Sequence, residues 1–281
     1  MIDKLLSDKL CMSAEVFPPK KDGMIEGIVR TLRQIEPLKP DYVSITYGAN
    51  GSGGNKTADA CSISKDAFDM ETVAHITTVN LTKDKLEEIL NTYKRKGIYN
   101  LLPLRGDLDE NSKFYDFNHA DELAYYIKKN HPEFRLFGAC YPEGHPESKS
   151  LMQDVEVMKR KQDYGVEFFV TQLFLDNNTY YSFKDEIAKA NLKFNITCGI
   201  MPIVKVSQVS RIVSMCGTEI SQAFSKVANN KSDEEMYKVG IEYAKEQIYD
   251  LINNGETNVH LYTMNRGDVA LEIFKEFDKF R

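Results

Sequence analysis

Eight short runs of apolar, β-branched and aromatic residues recur along the chain: "MSAEVF" (12–17), "DYVSITYG" (41–48), "VAHITTV" (73–79), "NLLPLRG" (100–106), "RLFGACYP" (135–142), "FFVTQLFL" (168–175), "FNITCGIMP" (194–202) and "NVHLYTMN" (258–265). Each is bounded by Gly, Pro, Asn or Asp, which is how parallel strands covered on both faces read. Segments of helical period lie between them. In "TKDKLEEILNTYKRKG", Thr82 is the N-cap, Leu86, Ile89, Leu90 and Tyr93 form one face, and Gly97 ends the helix. "ESKSLMQDVEVMKRKQDYG" and "DEEMYKVGIEYAKEQIYDLINNG" follow the same period. Eight strands alternating with helices predict an α/β fold of the (β/α)8 TIM-barrel class. A doubly wound open sheet shares the alternation, but the count of eight favours closure. The connection over 203–257 is the longest, which predicts an extra helix before the last strand.

Composition narrows the class. The 281 residues suit one barrel domain spanning 1–281, with 42% hydrophobic and 28% charged residues. Lys and Arg (36) against Asp and Glu (42) leave a net charge of −6, which argues against a nucleic-acid partner or an anionic membrane surface. No run approaches the roughly 18–20 apolar residues of a membrane span, and the N-terminus lacks the apolar core of a signal peptide. Five cysteines stand singly, without metal-finger spacing, as buried thiols in a reducing cytoplasm would. The reading is a cytoplasmic protein without a metal site.

Barrel enzymes carry their chemistry at the carboxyl ends of the strands, and the unusual polar residues collect there. Glu15 interrupts the first apolar run, Thr46, Tyr47 and the loop "GANGSGGN" follow the second, and His75 lies in the third. "RGD" (105–107) closes the fourth, "YPEGHPES" follows the fifth, Gln172 lies in the sixth, and Asn265 and Arg266 follow the eighth. Polar groups from several strands converging on one rim make a site. A carboxylate in an apolar strand is costly unless hydrogen-bonded or protonated, so Glu15 reads as a general acid of raised pKa, with a structural role as the rival reading.

Other signals read as structural. "GANGSGGNKT" is no phosphate loop of the Gly-Lys-Thr type, because Asn55 precedes Lys56. His119 and His131 read as helix-surface residues, and His260 as a residue packed in or beside strand eight. "YKRKG" (93–97) and "MKRKQ" (158–162) read as solvated faces, the second also placed to reach an anionic cofactor.

"SAEVFPPK", "DYVSITYGANGSGGNKT", "HITTVN", "LLPLRGDL", "YPEGHPESKS" with the following Asp and "KRK", "TQLFLD" and "YTMNR" together resemble, in order and spacing, the methylenetetrahydrofolate reductase family. The resemblance runs from strand one to strand eight, and implies a flavin-containing (β/α)8 barrel of the short bacterial type. It implies an FAD cofactor and a homo-oligomer, with methylenetetrahydrofolate and NAD(P)H, typically NADH, as substrates. The regulatory domain of the eukaryotic enzymes, and with it adenosylmethionine inhibition, is not expected. Hydride would pass from the nicotinamide to the flavin and then to the folate, giving 5-methyltetrahydrofolate.

The matches also assign roles. Glu15 matches the general acid that protonates the folate at N10, and Asp107 a carboxylate near N1 and the C2 carbonyl of the flavin. Thr46, Tyr47, Ala49, His75, Arg105, Gly106, Tyr141, His145 and Ser148 match flavin-contacting positions. Asp154, Arg160 and Lys161 match the helix that holds the adenosine and diphosphate part. Gln172 matches an amide that reads the pterin and the nicotinamide in turn, and Arg266 a folate-contacting arginine. The glycine loop is richer in Gly than the family form, Val157 replaces a polar flavin contact, and Lys226 is the candidate where a substrate glutamine does not align. Two alternatives stay open: the same folate chemistry fed by ferredoxin or an electron-donor subunit, and a non-catalytic flavin- or folate-binding subunit.

Overall fold

The computed structural model describes residues 2–18, 25–48, 54–108, 110, 112–209, 212 and 222–281. Eight parallel strands pair in chain order and the last returns to the first, closing a barrel. They are β1 (Cys11–Val16), β2 (Tyr42–Ile45), β3 (Thr72–Thr77), β4 (Asn100–Leu104), β5 (Arg135–Cys140), β6 (Val166–Thr171), β7 (Ile196–Ile200) and β8 (Asn258–Tyr262). The described helices are α1 (Ile25–Ile35), α2 (Gly54–Phe68), α3 (Lys83–Arg95), α4 (Ala120–Asn130), α5 (Leu151–Asp163), α6 (Asn177–Lys189), α7 (Gln222–Ala228), α8 (Asp233–Asn253) and α9 (Gly267–Phe274). The TIM barrel read from the sequence is therefore what the chain forms. The long seventh connection carries the extra helix, with α7 preceding α8.

Local signals explain the elements. The Thr82 side chain accepts from Lys85 N, Leu86, Ile89, Leu90 and Tyr93 are buried, and Gly97 takes φ +65° just past α3. Ser232 and Glu235 form a reciprocal capping box at the start of α8.

Strand alternation sorts the residues between two cores. Met12, Ala14 and Val16 of β1 face the helices in the main core. Cys11 falls inside the barrel, in a cluster with Tyr42, Val73, Leu102, Phe137 and Phe168 that Ile2 and Leu5 of the N-terminal 3-10 turn (Ile2–Leu6) join. A polar layer lies next to it. Ser13 Oγ is 2.7 Å from His260 Nδ1, Ser44 Oγ is 3.2 Å from Nε2, and the Tyr42 ring stacks on the imidazole at 5.8 Å. With both nitrogens satisfied, burial holds His260 neutral and lowers its pKa to about 3. His260 is thus a core residue, as expected. Glu15 and Tyr262, paired in register across the β1–β8 seam, come next along the barrel.

The observed strands stop short of the apolar runs at their carboxyl ends. β6 ends at Thr171, yet Leu173 and Leu175 remain buried, packed with Phe224 of α7 and Met236 of α8. The run stays apolar because the chain passes beneath helices rather than into solvent. Gln172 is accordingly one residue past β6 rather than inside it, although its N–H still donates to Cys140 O at 2.7 Å. His131 also departs from its surface reading. It caps α4 half-buried, with Nε2 2.9 Å from Glu87 Oε1 and Nδ1 2.9 Å from Lys94 Nζ on α3.

Candidate active site

Glu15 is the penultimate residue of β1, on the inward face, and its carboxyl meets His75 from β3. Glu15 Oε2 lies 3.7 Å from His75 Nε2, too far for a hydrogen bond. Burial raises the Glu15 pKa to about 8 and lowers that of His75 to about 3. Neither group is charged at neutral pH. His75 Nε2 has no hydrogen-bond partner among the described residues although the side chain is buried, which leaves a polar atom waiting for one. The Thr263 hydroxyl donates to Glu15 O at 2.6 Å and pins the strand end.

Tyr262 completes this floor, and the sequence reading missed it. Its hydroxyl donates to Thr171 O at 2.5 Å, and a Cβ on Gly199 would stand 2.6 Å from the ring. The ring therefore crosses from β8 over β7 to β6 in space that Gly199 leaves open. The lone Gly inside "NITCGI" was the available signal: a strand glycine marks the close approach of another group.

The rim residues arrange around this centre. Thr46 follows β2, with its N–H on Val16 O and its carbonyl accepting from Thr57. The Tyr47 hydroxyl lies against Gly54 at the start of α2, and burial raises its pKa to about 12. Ala49 lies outside the described residues, as does most of the glycine loop. Gly106 takes φ +92°, and a Cβ there would lie 3.0 Å from the Thr77 side chain, so the turn after β4 requires glycine. Arg105 pairs with Glu147 at 2.6 Å, and Asp107 is exposed beside it. Gln172 Oε1 accepts from Leu173 N at 2.9 Å.

The loop after β5 is built around Asp154. One carboxylate oxygen accepts from His145 N at 3.0 Å and the other from the Ser148 hydroxyl at 2.6 Å. The Tyr141 and His145 rings meet edge to face at 4.8 Å. Glu147 N donates to His145 Nδ1, which fixes Nε2 as the protonated nitrogen, and burial together with Arg105 keeps the ring neutral. Lys161 is not on a solvated face: it is buried, its Nζ donates to Ala139 O at 2.8 Å, and burial lowers its pKa. Arg160 reaches Asp121 at 2.5 Å in an open groove of about 590 Å³, which Tyr125, Tyr126 and Tyr164 also line. Val157 is half-buried on α5.

On the other side, Arg266 holds Asp268 bidentately at 2.8 and 2.6 Å and stands 5.7 Å over the Tyr237 ring. Lys226 is exposed on α7. Among the described residues no group of three potential ligands could hold a metal, and no helix is long and apolar enough to cross a membrane.

The chain is similar to known proteins along nearly its whole length. Over 266 residues the chain is 32% identical to the 5,10-methylenetetrahydrofolate reductase of Buchnera aphidicola subsp. Acyrthosiphon pisum, covering 93% of this chain and 89% of the relative. The enzyme of the same name from Escherichia coli K12 is 31% identical over 264 residues, covering 93% and 88%. Methylenetetrahydrofolate reductase (NADH) 1 of Arabidopsis thaliana is 30% identical over 296 residues, covering 97% of this chain and 50% of the plant protein. A Clostridium thermocellum protein that binds two copies of 5-methyl-5,6,7,8-tetrahydrofolic acid superposes with a TM-score of 0.70 at 13% identity, over 100% of this chain and 99% of that one, which shows a shared fold. The family model for methylenetetrahydrofolate reductase matches residues 1–278, and the chain belongs to that family.

Proposed function

We propose that this chain is an FAD-dependent 5,10-methylenetetrahydrofolate reductase that takes reducing equivalents from NAD(P)H, with Glu15 as its general acid. The observation that carries the reading is the inward-facing carboxyl of Glu15, kept protonated through neutral pH by burial, with a pKa of about 8. A carboxylic acid with a pKa near the working pH is suited to donate a proton in the transition state.

The residues fit a flavin. His75 Nε2 is buried without a hydrogen-bond partner among the described residues and is free to meet a ring heteroatom, and the groove beside Arg160, itself paired with Asp121, offers the aromatic faces of Tyr125, Tyr126 and Tyr164 to an adenine. Thr46, Tyr47, Ala49, His75, Arg105, Gly106, Asp107, Tyr141, His145, Ser148 and Arg160 would hold the cofactor, with Asp154 supporting it through His145 and Ser148 and Lys161 through its bond to Ala139 O. When bound, FAD supplies the carrier that accepts hydride from the nicotinamide and passes it to the folate.

The chain's own residues manage the proton and the fit. Glu15 delivers a proton to N10 of the folate, which opens the five-membered ring to the reactive 5-iminium cation. Asp107, exposed at the rim, favours that cation electrostatically. Gln172 orients the pterin, and Arg266, immobilised by Asp268, meets the folate from the β8 side. A homo-oligomer in the cytoplasm completes the proposal.

The test is an anaerobic titration of the purified protein with NADH followed by methylenetetrahydrofolate, watching flavin absorbance. Bleaching by NADH and recovery on adding folate are expected. A protein that binds no added FAD would overturn the reading, and recovery without NADH bleaching would assign the electrons to a different donor.

A further inference from the structure

The pair after β8 gives Arg266 a role and leaves Asn265 without one. Its carboxamide makes two bonds to one residue of the neighbouring chain segment: Phe17 N donates to Asn265 Oδ1 at 2.8 Å, and Asn265 Nδ2 donates to Phe17 O at 3.2 Å. The β1–β8 register ends at Glu15 opposite Tyr262, and Phe17 lies two residues beyond Glu15. The side chain thus supplies the rung that the backbone ladder lacks. Thr263 fills the space between: its hydroxyl donates to Glu15 O at 2.6 Å and accepts from Asn265 N at 3.1 Å. Asn265 O in turn accepts from the Thr31 hydroxyl of α1 at 3.2 Å.

This turn is held in an unfavourable conformation. Met264 and Asn265 take φ +50° and +58°, two consecutive non-glycine residues in the left-handed region. Such a conformation is unfavourable for any side chain, with Asn among the more tolerant, and persists only where its surroundings over-determine it. Burial of Met264 does not offset the cost, because its side chain is exposed. What the conformation achieves is the bidentate grip on Phe17.

We infer that Asn265 is a positioning residue for Glu15: with the Thr263 hydroxyl, its carboxamide closes the open end of the β1–β8 seam and holds the Glu15 carboxyl facing His75. The role rests on the general-acid reading of Glu15. Without the clamp the seam end frays, water reaches the carboxyl, and its proton affinity falls toward that of an ordinary carboxylate.

The experiment compares wild-type holoenzyme with Asn265→Gly, which takes a positive φ without strain, and with Thr263→Val as a second variant that keeps the Asn265 carboxamide. Hydrogen exchange at Phe17 is read alongside the pH profile of folate-driven flavin reoxidation. In Asn265→Gly, exchange at Phe17 should quicken by roughly ten-fold or more. Reoxidation at pH 7 should slow by about ten-fold or more, and its alkaline fall should begin about one pH unit or more lower. Reduction by nicotinamide should stay within about three-fold, since Glu15 takes no part in that step. Thr263→Val should shift the profile in the same direction. Unchanged exchange at Phe17 would overturn the clamp, and faster exchange with an unmoved pH profile would reduce it to a structural knot. A wild-type protein with no folate-driven reoxidation would remove the general-acid reading and the positioning role with it, while the exchange data would still report on the clamp itself.

Discussion

Glu15 and His75 face each other inside the barrel mouth at 3.7 Å, and at neutral pH both are uncharged. Distance alone would make them an ion pair. Burial decides otherwise, because charging both would desolvate two ions with no further hydrogen bonds to compensate, and His75 Nε2 has no partner among the described residues. The pair is therefore a protonated acid beside a neutral imidazole and not a salt bridge.

Glu15→Gln keeps the shape and removes the proton. Folate-driven reoxidation is expected to fall by about 10²–10⁴-fold, while flavin reduction by nicotinamide changes little. In the wild type the same half-reaction should decline as pH rises through about 8. Anaerobic stopped-flow measurements of the two half-reactions check this. Undiminished folate turnover in the variant would remove Glu15 from the general-acid role.

The same two groups bend the stability curve in opposite directions. Glu15 holds its proton more tightly folded than unfolded, so its contribution is fully present below about 4.5 and is lost as pH rises through about 8. His75 and His260 hold theirs less tightly, so their contribution is present above about 6.5 and is lost as pH falls toward 3. Glu15→Gln should therefore gain on the wild type as pH rises from 5 to 8.5, by an amount on the order of a few kcal/mol. Denaturant titrations at several pH values read the difference. A constant offset across that range would mean that Glu15 titrates normally in the fold.

Asp154 ties two residues of the loop after β5, through His145 N and the Ser148 hydroxyl. Asp154→Ala leaves both donors without their acceptor and should cost about 1–3 kcal/mol of stability. The loop carries His145 and Ser148, so FAD affinity should weaken by about ten-fold or more if the loss falls on the cofactor side. Flavin content after dialysis and a fluorescence titration with FAD separate the two effects. Full flavin retention with lowered stability would confine Asp154 to a structural role.

Much of this was legible along the chain, for physical reasons. The strands showed as continuous apolar runs because helices cover their outer face, and Glu15 stood out because a carboxylate breaks such a run. Within "MKRKQ" Lys161 reads as a solvated cation or one reaching an anionic cofactor, although Asp154, Met158 and Lys161 fall at helical spacing on the buried face of α5. Charge outweighed period in that reading, while in the fold the Ala139 carbonyl accepts the ammonium. The grip of Asn265 on Phe17 joins residues 248 positions apart and left no local mark.

Gly199 and Tyr262 give the sharpest steric test. A Cβ on Gly199 would stand 2.5 Å from Thr171 O, the acceptor of the Tyr262 hydroxyl, and 2.6 Å from the ring itself. In Gly199→Ala the β6–β7 backbone must shift to relieve the carbonyl contact, and the ring must give way as well. Swinging it out loses the hydroxyl's acceptor and displaces the neighbour of Glu15 in the β1–β8 register. The overpacking and the lost bond together should cost about 2–4 kcal/mol. Tyr262→Phe loses only the bond and should cost about 1 kcal/mol. The double variant Gly199→Ala/Tyr262→Ala should lose less than the sum of the Gly199→Ala and Tyr262→Ala losses, because removing the ring removes one of the two clashes. Chemical denaturation of the wild type, Gly199→Ala, Tyr262→Ala and the double variant supplies the cycle. Additive losses in the double variant would mean that Gly199 serves the β6–β7 backbone alone and leaves the Tyr262 ring no special room.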